Sequence, residues 1–142
     1  MMELALKIVE YAFIDKKDLV GAPYIDHIKR VADRLKNKSE DIQTVALLHD
    51  LLEDCPEWNK KVLGCFFYEE IVDAVESITR RENEAYNNYI NRVSLNRYAT
   101  VVKIADLQDN MDMTRLKEIT DKDIIRLKKY LSSYQFLTEE IK

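Results

Sequence analysis

The sequence predicts an all-α fold, a compact single-domain helical bundle covering residues 1–142. Three observations carry that expectation. Apolar residues recur at helical spacing along most of the chain. Its two glycines and two prolines are too few punctuators for the many turns of a sandwich or barrel. Neither linker, internal repeat nor low-complexity stretch divides it, and 142 residues suffice to bury a core without disulfides or structural metals.

In chain order, Leu4, Ile8, Tyr11 and Ala12 mark a first helix, expected to end near Asp15. A polar link from Lys16 to Pro23 leads to a second, with Ile25, Ile28, Val31, Ala32 and Leu35 on one face. Ser39 is the expected N-cap of a third helix, with Glu40 and Asp41 well placed against its positive end. That helix carries Val45, Leu48, Leu51 and Leu52, includes His49 and Asp50, and is expected to run unbroken to Cys55-Pro56. A short segment around Trp58–Leu63 precedes a long helix from about Glu69 to Thr79. Tyr86, Tyr89, Ile90 and Val93 mark another helix. Asn96 is positioned to cap the next, which holds Ala99, Val102 and Ile104, and Leu127, Leu131, Tyr134 and Ile141 mark the last.

Composition narrows function. A net charge of −4 removes the broad basic footprint of a nucleic-acid binder but leaves room for a local cluster that takes a phosphorylated small molecule. Gly21 and Gly64 cannot build a Walker A loop or a dinucleotide fingerprint. The longest uncharged apolar stretch, Val62 to Tyr68, is far below the ~20 residues that cross a bilayer, so no membrane partner is expected. Two isolated cysteines and no signal-like N-terminal stretch point to a cytoplasmic protein. Oligomeric state leaves no mark in the sequence.

The chemistry concentrates at few residues. The only two histidines each stand beside an aspartate, in Asp26-His27 and His49-Asp50. Asp50 lies among Leu47, Leu48, Leu51 and Leu52, and Asp106 ends the run Ala99–Ala105 on the same helix face as Asn110. Carboxylates in such surroundings need a cation or hydrogen-bond donors to offset desolvation. A divalent metal held by His27, His49, Asp50 and Asp106 answers all of these needs, and that mixed nitrogen and oxygen set suits manganese, iron or zinc. The alternative is a buried hydrogen-bonded His49-Asp50 pair, with His27 and Asp106 as surface caps. Glu53 and Asp54 follow His49 and Asp50 by four residues, one helical turn, where a carboxylate can orient water or accept its proton. They otherwise read as a solvated acidic helix end, which opposes the helix dipole.

These residues resemble the HD-domain metal-dependent phosphohydrolases. Pro23-Tyr24-Ile25-Asp26-His27 is similar to the family's Pro-Tyr-Ile-x-His. The segment from Ala46 to Asp54 is similar to its Ala-Leu-Leu-His-Asp-x-x-Glu-Asp, and Val102–Asp106 to its Val-Lys-Leu-Ala-Asp, with Asn110 four residues on. The likeness is greatest to the alarmone hydrolases, the hydrolase half of the Rel/Spo stringent-response enzymes and their small stand-alone relatives. It implies one Mn²⁺ on His27, His49, Asp50 and Asp106. It also implies Glu53 and Asp54 as catalytic carboxylates, and release of pyrophosphate from the 3′ position of guanosine tetra- or pentaphosphate. Asn110 matches a nucleotide-contacting position, and Tyr24, Lys16 and Lys17 join the expected substrate-binding residues. The chain departs from the family at Ile28, where many members have proline, and at Lys16-Lys17, where relatives often place arginine. Lysine lacks arginine's planar face for stacking on a base. Arg80 and Arg81 are expected either to bind phosphate or to solvate a loop. Two other functions stay open: an HD-family 5′-nucleotidase or other nucleotide phosphatase, and a non-catalytic nucleotide-binding module.

Overall fold

A computed structural model describes all 142 residues. Nine helices and no strands follow one another: α1 (Met2–Ala12), α2 (Tyr24–Arg34), α3 (Glu40–Leu48), α4 (Leu51–Asp54), α5 (Lys60–Leu63), α6 (Glu69–Ile78), α7 (Tyr86–Ser94), α8 (Arg97–Asn110) and α9 (Asp121–Glu140). The all-α expectation is met. No helix is long and apolar enough to cross a membrane.

The core forms around α3, which packs against α1, α2, α6 and α8. Thr44, Val45, Ala46, Leu47 and Leu48 are buried in succession, so the second half of α3 is enclosed on all sides. The one polar group in that run is satisfied inside its own helix, because Thr44 Oγ1 donates to the Glu40 carbonyl at 2.8 Å. Helix α8 crosses the same centre and carries buried polar residues at Thr100, Asp106 and Asp109. The ends of α2, α3 and α8 thereby meet.

Local chemistry sets several boundaries. Ser39 Oγ accepts from Ile42 N (3.3 Å), and Asn96 Oδ1 accepts from Ala99 N (3.0 Å), as cap residues do. Helix α9 starts several residues before its apolar marks, at a capping box in which Thr120 and Asp123 each bond the other's backbone amide. Helix α1 stops at Ala12, three residues short of Asp15. Phe13 leaves helical geometry there (φ −104°, ψ 15°) and stacks on Tyr24 with ring centroids 5.4 Å apart.

The expected unbroken helix from Glu40 to Cys55 is instead two helices joined at His49-Asp50. The His49 ring folds back and Nδ1 donates to the Ala46 carbonyl at 2.6 Å. That carbonyl is the acceptor Asp50 N–H uses in an uninterrupted helix. Asp50 takes φ −102° and ψ 0°, in the sparsely allowed bridge region. Helical hydrogen bonding resumes at once from Asp54 N to Asp50 O.

Candidate metal centre

Four side chains from three segments converge. His27 comes from the first turn of α2, His49 and Asp50 from the α3–α4 junction, and Asp106 from α8, and their ligand atoms all lie within 4.8 Å of one another. His27, His49 and Asp106 are buried and Asp50 nearly so. The surface-cap alternative for His27 and Asp106 is therefore ruled out by their depth.

Both ring orientations are held from behind. His27 Nδ1 donates to Asp109 Oδ2 at 2.6 Å, and His49 Nδ1 is committed to the Ala46 carbonyl. Each imidazole thus turns Nε2 toward the carboxylates. His27 Nε2 lies 3.0 Å from Asp106 Oδ1 and 3.7 Å from Asp50 Oδ2; His49 Nε2 lies 3.1 Å from Asp50 Oδ2 and 3.3 Å from Asp106 Oδ1. His49 Nε2 is fully buried and has no hydrogen-bond partner. Lone pairs of two neutral imidazoles and two carboxylates facing one another repel unless positive charge sits among them. Although burial favours the neutral ring, the surrounding carboxylates hold both imidazoles above their ordinary pKa. One divalent cation satisfies all four groups together, so the donor set fits a metal.

The carboxylates are anchored as well. Tyr24 Oη donates to Asp50 Oδ2 at 2.6 Å, and burial with this negative neighbour keeps the phenol protonated. Lys103 Nζ meets Asp106 Oδ2 at 2.8 Å, and Asn110 Nδ2 donates to Asp106 Oδ1 at 3.2 Å. Burial works against the charge on both Asp106 and Lys103, but each stabilises the other, so Asp106 stays ionised and Lys103 stays protonated. Asp109 in turn accepts from Arg30 Nε (2.8 Å) and Nη2 (3.1 Å). Metal-ligating histidines commonly donate their second N–H to such an outer carboxylate.

The sequence reading did not single out Asp109, Lys103 or Arg30 as part of the site, nor Arg126 and Tyr130, which line the cleft beside it. Asp109 carried a signal: it lies three residues after Asp106 on one helix, hence on the same face.

Glu53 and Asp54 form the end of α4. Partial burial, and next the Asp50 carboxylate, raise both carboxyls above their usual range. Glu53 Oε1 accepts the Arg80 backbone N–H at 3.3 Å.

Beside the cluster opens a cleft of about 410 Å³ whose lining includes Lys17, Tyr24, Arg30, Asn110, Arg126 and Tyr130. Lys16 is not among the lining residues, since its ammonium bonds the Asp54 carbonyl. Arg80 and Arg81 also lie elsewhere. The Arg80 guanidinium donates to the Glu84 carbonyl and lies over Tyr86, and the Arg81 amide donates to Glu84 Oε1.

No protein-family profile matches the chain, and no curated protein does. A solved structure shares the fold. It is described as a metazoan ortholog of SpoT that hydrolyzes ppGpp and plays a role in starvation responses. The superposition gives a TM-score of 0.78 at 19% identity, over 99% of this chain and 85% of that one.

Proposed function

We propose that the protein is a metal-dependent phosphohydrolase that removes the 3′-pyrophosphate from guanosine tetra- or pentaphosphate. The observation that carries this reading is the four-residue His/Asp cluster, with its orphaned His49 Nε2 and two elevated carboxylates one turn away. The shared fold with a protein described as hydrolysing ppGpp directs the choice of substrate.

His27, His49, Asp50 and Asp106 would hold one divalent transition metal, Mn²⁺ in this proposal. When bound, such an ion supplies Lewis-acid polarisation of a phosphoryl oxygen. The chain's own groups do the rest. Glu53, its carboxyl raised above the ordinary value by burial and Asp50, accepts the proton of the attacking water. Asp54 assists from the next position, its backbone carbonyl tied to Lys16. Lys17 offers the cleft an exposed cation for a polyphosphate, the arginines of the lining being paired with its aspartates (Arg30 with Asp109, Arg115 with Asp112, Arg126 with Asp123), and Tyr24 and Asn110 stand between cleft and cluster. The reading carries a cytoplasmic location with it, which two unpaired cysteines support.

The test uses Mn²⁺-loaded protein, offered guanosine tetraphosphate and nucleoside monophosphates in parallel. Release of pyrophosphate and the 5′-diphosphate nucleotide is expected. In Glu53→Gln the metal stays, counted at about one equivalent per chain, while turnover falls 10²–10⁴-fold. Preference for a monophosphate would replace this reading with a nucleotidase, and binding without turnover would replace it with a sensor module.

A further inference from the structure

The segment between α6 and α7 is held by more bonds than a connecting loop needs. Arg92, on α7, grips Glu84 with a two-pronged fork: Nε to Oε2 and Nη2 to Oε1, both at 2.9 Å. The same guanidinium reaches the Glu76, Ser77 and Thr79 carbonyls at 3.3, 3.1 and 2.7 Å. Thr79 Oγ1 donates to the Val75 carbonyl, and Tyr89 Oη to that of Ile78. All four final carbonyls of α6 are therefore satisfied by side chains, which fixes where the chain departs. Glu84 then closes the loop on itself. Its carboxylate accepts the Arg81 amide, its carbonyl accepts the Arg80 guanidinium, and Asn83 adopts a left-handed φ of 62°.

The hydrogen bond this loop makes to α4 runs from the Arg80 backbone N–H to Glu53 Oε1, at 3.3 Å. A backbone donor cannot rotate away, so the direction it imposes depends on what holds the loop. We propose that Glu84 and Arg92 are positioning residues for Glu53, acting through the Arg80 amide. Neither touches the His/Asp cluster or lines the cleft beside it. The inference rests on the catalytic role proposed for Glu53. Besides the Arg80 amide, Glu53 faces Asp50 and Asp54 at the α3–α4 junction and α4, and Lys103 on α8.

The direct test compares Arg80→Ala, which keeps the amide proton, with Arg80→Pro, which removes it. Thr79 already has the extended backbone (φ −90°, ψ 120°) that precedes proline readily. The proline variant is expected to lose about ten- to a hundredfold in kcat relative to the alanine variant, at similar KM and metal content. The acid limb of its pH profile should also move to higher pH, because a donor to the ionised carboxylate is gone. Glu84→Gln should shift both quantities the same way but less. Equal kcat and pH profiles in the alanine and proline variants would overturn the proposal. If the proline variant does not fold, the Arg80 amide proton shift decides, read by NMR in the wild-type chain and in Glu53→Gln. A shift that moves on loss of the carboxylate supports the bond; an unchanged one overturns it. Full activity in Glu53→Gln would remove the catalytic reading of Glu53 itself, a different failure from equality of the two Arg80 variants.

Discussion

His27 and Asp109, 82 positions apart in sequence, meet at 2.6 Å through Nδ1 and Oδ2. The contact does two things. It commits the Nδ1 proton, so Nε2 alone faces the cluster, and it prevents the ring from turning. Arg30 holds Asp109 from the other side, so the carboxylate is itself oriented.

Asp109→Asn is therefore expected to weaken metal binding about 10–100-fold while leaving the four ligands in place. The amide cannot balance the Arg30 charge, and it can present its NH₂ to Nδ1 and so favour the wrong tautomer. Competition between the protein and a chelator for Mn²⁺ measures this. Unaltered affinity would mean that burial alone orients His27.

Lys103 gives a stability prediction. Its side chain is 12% exposed, and its ammonium pairs with Asp106, whose side chain is 6% exposed, at 2.8 Å. Removing one partner of a buried pair commonly costs about 3–5 kcal/mol, because the other charge is left without compensation. Lys103→Met in metal-free protein should show a loss near the lower end of that range, since His27 and His49 still face Asp106. Urea unfolding with and without Mn²⁺ checks this: the deficit should shrink when the ion supplies the missing positive charge.

What the sequence disclosed and what it hid follow from how local each interaction is. The caps at Ser39 and Asn96 were legible because the side chain bonds an amide three residues on. The His/Asp set was legible as ordered motifs on helices. The break at His49-Asp50 was not, since the apolar spacing from Val45 to Leu52 continues straight through it; the side chain of His49 makes the difference by competing for the Ala46 carbonyl. The meeting of Arg92 with Glu84 left no sequence signal, because it depends on the path of the intervening loop. Lys16 and Lys17 suggested one shared role. Lys17 pairs in an isolated bridge with Pro23, and successive residues of extended chain point to opposite sides.

The Glu84–Arg92 fork predicts acid sensitivity. The Arg92 guanidinium holds the Glu84 carboxyl down to about 2, from an ordinary value of 4.5. A carboxyl with a depressed folded-state pKa stabilises the fold fully above its unfolded value, and that contribution is lost as pH falls through the folded one. The window thus runs from about 4.5 down to about 2. Glu84→Gln should be less stable than the wild-type chain at neutral pH, and the gap should close across that window. Denaturant unfolding at pH 7, 5 and 3 gives the comparison; a constant gap would show that the fork acts through shape and not charge.

The lysine pair separates binding from positioning. Lys17 lines the cleft and is solvent-exposed, so its charge is available to a phosphate group. Lys16 is spent on the Asp54 carbonyl and lies 5.4 Å from the Phe13 ring centroid, so it braces the end of α4. Lys17→Ala should raise KM for guanosine tetraphosphate with little change in kcat, the pattern of an interaction equally strong in ground and transition states. Its effect should fade as salt rises, since exposed charges are screened over about 8 Å at physiological ionic strength. Lys16→Ala should lower kcat instead, by freeing the backbone beneath Glu53 and Asp54, and its effect should persist in salt. Steady-state kinetics of both variants at two ionic strengths distinguishes the roles. If both substitutions raise KM alone, Lys16 leaves the Asp54 carbonyl when substrate enters and the two lysines bind phosphate together.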